Sequence, residues 1–302
     1  MNTTHFTRQI RSQAAAVMRI SPDRAARSSP LLWLNLVCLD APLIAICWQW
    51  IFAHSFRLSV ASGHWAALFL TAWVIYLADR LGDSVSLVAG QPKSLRQQFC
   101  FRHKKIWFVS ITCVGLVDLI VVSRAVNYET AVIGGIIGAF TIAYLAINHA
   151  HSQIWERIPL KEFIIGSLFA AGTLVGVTPH IVAERSAMIF AAIVFAALCS
   201  LNCVSIAIWE RELDRIQGKH SIATRSAYAN SVARLLLFLL PAVSIIFCLF
   251  DSGACPVMFC VITSSLLLGA LHFIRVSRDQ RSALADVVLF TPLALLVAEK
   301  VL

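Results

Sequence analysis

Two pairs of carboxylates carry the chemistry legible in this sequence. Asp79 and Asp83 stand four residues apart in "WVIYLADRLGDSVSL", and Glu210 and Asp214 repeat the spacing in "IWERELDRIQGKHS". In both, an arginine directly follows the first acid. On a helix, positions i and i+4 share one face, one turn apart. Like charges held there repel unless a cation lies between or beside them. Hard oxygen ligands favour Mg²⁺, which binds through one or two carboxylates together with substrate phosphates and water. The loops beyond the acids, 84–105 and 215–231, are basic, with Arg102 in "RHKK" and with Arg215 and Lys219 after the second pair. Acids, then metal, then bases suit a diphosphate: the metal bridges carboxylate to phosphate, and guanidinium or ammonium groups clamp the remaining oxygens. A single D-x-x-x-D at a helix end is ordinarily a solvated terminus. Two of them, each with the following arginine, point to one shared metal–phosphate site.

The elements that must position these acids are membrane helices. Of the 302 residues, 59% are hydrophobic and 14% charged, whereas soluble domains carry about a quarter charged. A bilayer core takes about 20 apolar residues per helix. Nine such segments are predicted, near 31–54, 64–84, 106–123, 130–148, 162–180, 187–209, 232–250, 254–274 and 283–299. Basic residues orient the chain. With nine spans and a cytoplasmic N-terminus, every lysine and arginine falls on the cytoplasmic side except Arg57, Arg124, Arg185 and Lys300. The C-terminus is then on the opposite side, and both acid pairs end helices that run inward, the second and the sixth. The net charge of +9 follows from this asymmetry and calls for no nucleic acid. The expected fold is an all-α integral membrane protein: nine helices, residues 31–302, bundled around a central apolar cavity with a polar cytoplasmic mouth. Residues 1–30 form a basic cytoplasmic tail, either lying on anionic headgroups or disordered, with no apolar run of signal-peptide length. The nine cysteines form no C-x-x-C pair and read as small packing residues.

These residues resemble the UbiA-type intramembrane prenyltransferases, with nine helices and two Asp-rich motifs, N-x-x-x-D-x-x-x-D after helix 2 and D-x-x-x-D after helix 6. "ERELDRIQGKHS" is similar to the second motif along its length, "DRLGD" to the last two acids of the first, and "RIPLKEFIIGSLFAAG" to the lysine-containing entry to helix 5, with Lys161 at the matching position. The sequence departs from the pattern at Ile75, in place of the asparagine, and at Glu210, in place of an aspartate, which implies a divergent member. The resemblance implies a Mg²⁺-dependent transferase that moves an isoprenoid chain from a prenyl diphosphate to an acceptor within the membrane. Asp79, Asp83, Glu210 and Asp214 are then the catalytic metal ligands, and Lys161, Arg102 and Arg215 the diphosphate-binding cations. The alternative is a membrane terpene cyclase of the same superfamily, acting on the diphosphate alone.

Further polar residues fall inside the expected spans. Asp40, two residues before Pro42, and Asn202, two turns from Glu210, are candidate polar groups of the cavity, Asp40 as a proton acceptor. Their structural alternatives are a protonated acid bonded to a neighbouring helix and an interhelical bridge. His149 and His151 in "NHAHS" could suggest a metal, but with no acid or cysteine cluster beside them in the sequence they read as cytoplasmic loop residues. Trp73, Tyr76, Phe140, Tyr144, Phe169 and Trp209 lie on the relevant helices, where aromatic residues serve packing as readily as a cation-stabilising wall. A transporter or a degenerate scaffold is the non-enzymatic reading. A transport path needs a midplane site, whereas these charges gather at one face.

Overall fold

The computed structural model describes residues 30–87, 91–179 and 186–301. They form α-helices and short 3₁₀ turns, with no strand among them. The basic tail expected over 1–30 lies outside the described residues except Pro30, which opens α1 (Pro30–Leu36). There its missing N–H is one that a first turn leaves unpaired anyway.

Six helices are long and apolar enough to cross a bilayer: Ser62–Val85 (α3), Lys104–Ala125 (α5), Tyr128–Ala150 (α6), Ser186–Gln217 (α9), Ala229–Phe250 (α11) and Ser252–Leu271, whose regular α-helical part is Cys255–Leu271 (α12). A seventh candidate is α13 (Arg278–Val288) with α14 (Thr291–Val301), bent by 47°. The bend falls at Leu289 and Phe290, just before Pro292, whose missing N–H and ring cannot continue the helix through the carbonyl of Val288.

The other expected segments are shorter or interrupted. The first is cut into α1 and α2 (Asp40–Ser55) by a turn at which Cys38 takes φ 58°, a left-handed conformation uncommon outside glycine. Asp40 then begins α2 and its Oδ1 accepts from the Ala41 N–H at 2.9 Å, a favourable place for a negative charge at a helix N-terminus. Pro42 falls within the same first turn, where proline is tolerated. The fifth segment is α8 (Lys161–Thr173), followed by a 3₁₀ turn over Val175–Val177. Hydropathy saw apolar length in each case but not the turns.

α9 is the axis of the core. Its 32 residues extend about 48 Å at 1.5 Å per residue, beyond the ~30 Å hydrocarbon thickness, so the turns bearing Glu210 and Asp214 project past the apolar part. Trp48 of α2 stacks on Phe195 of α9 with ring centroids 4.3 Å apart, and its indole N–H donates to the Leu289 carbonyl at 2.8 Å. α8 lies tightly along α9 because Gly166 faces the backbone of Ser200, where a Cβ would approach the Ser200 nitrogen to 2.5 Å. Small residues permit such backbone contact between membrane helices. α5 and α11 have the opposite character, with Phe108, Leu119, Phe238 and Leu249 all more than 60% exposed. Outward apolar faces of this kind suit lipid.

Three short helices close the polar end: α4 (Leu95–Arg102), α7 (Ile154–Arg157) and α10 (Ile222–Arg225). Ser94 and Gln97 form a capping box at the start of α4, and Gln217 at the end of α9 donates to Gln97 at 2.9 Å and to the Pro92 carbonyl at 2.8 Å. Pro92 and the start of α4 are thereby fixed to the exit of α9.

Candidate functional site

The exits of α3 and α9 meet at this end of the molecule. α9 ends at Gln217, and Gly218 takes φ 68°, the left-handed position that terminates helices and favours glycine. The chain turns back there, with the Lys219 N–H on the Asp214 carbonyl at 2.8 Å. The turn delivers the Lys219 ammonium to Asp83 Oδ2 at 2.9 Å. Lys161, at the first turn of α8, acts electrostatically together with Lys219 on both Asp83 and Asp214. The Ser221 hydroxyl lies close to Asp214, while its hydrogen bond goes to Thr224 Oγ1 at 3.4 Å. Glu162 tightens the same corner by accepting the Ile222 N–H at 3.1 Å.

On the other side of Asp83, the last turn of α6 contributes His149, whose Nε2 lies 3.5 Å from Asp79 Oδ1. One ligand atom each from Asp79, Asp83 and His149 fall within 4.8 Å of one another. Gly82 makes this possible: a Cβ there would come to 2.6 Å from His149 Nε2. Two carboxylates and an imidazole can hold a divalent cation. His149, expected as a loop residue, is therefore the group that sequence reasoning missed. Its only signal was position, at the exit of a helix adjacent to the first acid pair.

The four acids do not share one surface. Glu210 is engaged by partners of its own. Arg96 Nη2 donates to Glu210 Oε1 at 2.8 Å and to Oε2 at 2.6 Å, and the Ser282 hydroxyl donates to Oε1 at 2.9 Å. This places the first acid of the second pair in a largely buried ion pair between α4, α9 and α13, while the second acid turns to the lysines. The cations are likewise redistributed. Arg215 lies 4.0 Å from Glu212, with both side chains well over half exposed, and Arg102 is exposed. Among the described residues, Lys161, Lys219, Arg96 and Arg80 are basic groups in reach of the acids. Arg80 is placed over the Tyr76 ring at 5.7 Å and near Asp40 and Asp79.

Behind Asp79 opens an apolar pocket of about 400 Å³. One face of α3 lines it from Asp79 through Tyr76, Ile75 and Thr71 to His64, a run of about 22 Å at the helical rise. α6 supplies the facing side with Gly134, Gly135 and Gly138, which leave the space a side chain would fill. Asn202 and Asp286 border the pocket at its Asp79 end. Asn35 donates to Asp40 at 2.6 Å and to Asp286 at 3.0 Å, and Asn202 donates to Asp286 at 3.2 Å. The two residues expected as cavity polar groups thus meet in one network, Asn202 on the pocket and Asp40 two hydrogen bonds behind it, through Asn35 and Asp286. Of the six aromatic residues, Tyr76, Tyr144 and Phe169 line the pocket. Phe140 is 65% exposed on the outside, Trp73 donates to the Val37 carbonyl at 3.1 Å, and Trp209 packs on His272.

Comparisons with protein-family models, with curated proteins and with solved structures gave no match to this chain.

Proposed function

We propose that this protein is a divergent UbiA-type enzyme that ionises a prenyl diphosphate at the mouth formed by α3 and α9 and transfers the isoprenoid chain to an acceptor in the membrane. The observation that carries the proposal is the meeting of the two motifs: Lys219, from the tail of the second, lies 2.9 Å from Asp83 of the first, at the head of an apolar pocket. A nine-span bundle with a cytoplasmic N-terminus is part of this reading. It is supported by adding α2, α8 with its 3₁₀ turn, and the bent pair α13–α14 to the six long helices.

Asp79, Asp83 and Asp214 are the residues that would hold Mg²⁺, with His149 beside them. Bound there, Mg²⁺ supplies neutralisation of the diphosphate as the allylic carbon–oxygen bond breaks. Lys161 and Lys219 clamp phosphate oxygens and offset the negative charge that develops on the leaving group. The pocket holds the prenyl chain extended and keeps water from the allylic cation. Tyr76, Tyr144 and Phe169 line the pocket, and aromatic rings attract positive charge. Asp286 and Asn202 line it as well, and the Asp286 carboxylate, held by Asn202, is the group that would take up the proton the substrate loses once the new bond has formed.

The test is to incubate membranes containing the protein with Mg²⁺ and a panel of radiolabelled prenyl diphosphates, and then to extract the lipids. Label in a new lipid species, dependent on Mg²⁺, is expected. Diphosphate release with a hydrocarbon or alcohol as the labelled product and no acceptor required would assign the cyclase reaction. Consumption of no diphosphate in the panel would reject both.

A further inference from the structure

The end of the pocket remote from Asp79 is polar, and its polar atoms lack partners. Gln49 of α2 is 1% exposed and lines the pocket, yet neither its Oε1 nor its Nε2 has a hydrogen-bond partner. Thr173 and Thr130 are also buried, line the pocket and have unpartnered hydroxyls, and His64 there has an unpartnered Nδ1. All four lie far along their helices from the groups at the Asp79 end. Gln49 is nine residues beyond Asp40, Thr173 twelve beyond Lys161, His64 fifteen before Asp79, and Thr130 nineteen before His149. At the helical rise these separations are about 14 to 28 Å. Gly176 keeps the place open for the amide, since a Cβ there would come to 3.0 Å from Gln49 Oε1.

A buried amide without partners costs free energy unless something in the cavity satisfies it. Among the described residues that line this end are donors and acceptors but no carboxylate, lysine or arginine, so an uncharged group fits. We propose that this end of the pocket is a second recognition site, which hydrogen-bonds a neutral polar group (a hydroxyl, carbonyl or ether oxygen) through Gln49, Thr130 and Thr173. That group is either the far terminus of the chain whose head lies at Asp79 or the head of a second lipid. The inference deepens the function proposed above and rests on that reading only for the direction in which a chain lies. Binding rather than turnover tests it, so the two can fail separately.

The probes are hexadecyl phosphate and 16-hydroxyhexadecyl phosphate, whose chains reach about 20 Å at the ~1.2 Å per bond of an extended chain. Octyl phosphate with 1-octanol forms a second set. Dissociation constants are measured on the full chain in lipid nanodiscs, for the native protein and for Gln49→Met and Thr173→Val. The ω-hydroxy probe should bind about fivefold tighter than its parent, the worth of one net hydrogen bond, and Gln49→Met should erase the preference without weakening the parent probe. Gln49→Met should also melt no lower than the native protein, because an unsatisfied amide has been replaced by an apolar chain of similar length. 1-Octanol binding alongside octyl phosphate, and lost in Gln49→Met, would support the site and assign it to a second molecule. Competition between them, together with the ω-hydroxy preference, would support it and assign it to the chain terminus. Failure of both phosphates to bind, with octanol binding kept and Gln49-dependent, would reject the diphosphate reading and support this one. Equal affinities for the hexadecyl pair combined with Gln49-independent octanol binding would overturn the proposal, leaving water as the occupant.

Discussion

Asp214 and Glu210 differ by one helical turn and are expected to respond oppositely to loss of charge. Asp214 faces Lys161 and Lys219, so Asp214→Asn should lower turnover of a prenyl diphosphate about a hundredfold or more, the scale of removing a ligand that stabilises transition-state charge. Its melting temperature should hold or rise, because Asp214 also feels the like charge of Glu210. Normal turnover in this variant would sink the metal-site proposal. Glu210→Gln instead strips the partner from a largely buried Arg96, whose Nη2 spans both carboxylate oxygens. Breaking such a pair costs about 3–5 kcal/mol, so the principal effect should be a lower melting temperature in a thermal scan. A variant that melts normally but is inactive would return Glu210 to the ligand set. Lys219→Met should raise the apparent dissociation constant for inorganic diphosphate, measured by equilibrium dialysis with Mg²⁺, while Arg215→Met, on the exposed side of α9, should leave it unchanged.

Two helix-level contacts set the shape of the site. Gly82 on α3 admits His149 of α6, so Gly82→Ala should force the imidazole aside at a net cost below the about 1–3 kcal/mol of core overpacking, because alanine favours a helix over glycine by nearly 1 kcal/mol. Combining it with His149→Ala should recover part of that loss, and a double-mutant cycle on thermal stability measures the coupling. No coupling would mean that the helices separate instead. Gly138 on α6 lines the pocket, and a Cβ there would meet nothing within 4 Å. It lies eleven residues from His149, about 16 Å into the pocket by helical rise. Gly138→Leu should fill that depth and raise KM for long prenyl diphosphates more than for short ones. The fold should be kept, since leucine favours a helix over glycine by nearly 1 kcal/mol. An unchanged chain-length profile would show that the chain lies elsewhere.

At the scale of the whole molecule, the proposed topology puts the turns at 86–94, 151–160 and 218–228 on one side of the bilayer and those at 56–61 and 251–254 on the other. Single cysteines introduced at Lys93 and Arg57 into a cysteine-free background should label from opposite sides of sealed vesicles with a membrane-impermeant maleimide. Labelling of both from one side would break the nine-span reading.

The sequence by itself determined the helical class, the apolar segments and the two acid pairs, because composition and i,i+4 spacing are local properties that need no partner. The break at Cys38, the shortness of α8 and the bend before Pro292 depend on how neighbouring helices take up the chain, and hydropathy averages over them. Spacing also placed Glu210 and Asp214 on one helix face, yet a face about a turn wide borders more than one neighbour. Only the tertiary structure decided that α4 and α13 take Glu210 while the returning loop takes Asp214. The choice among cations was decided in the same way: long basic side chains in loops have no periodicity to read, and the Gly218 turn, not the charge count, brings Lys219 to Asp83. His149 and Gln49 matter through atoms more than sixty and more than a hundred residues away in sequence, Asp79 and Gly176, and such contacts exist only once the chain has folded.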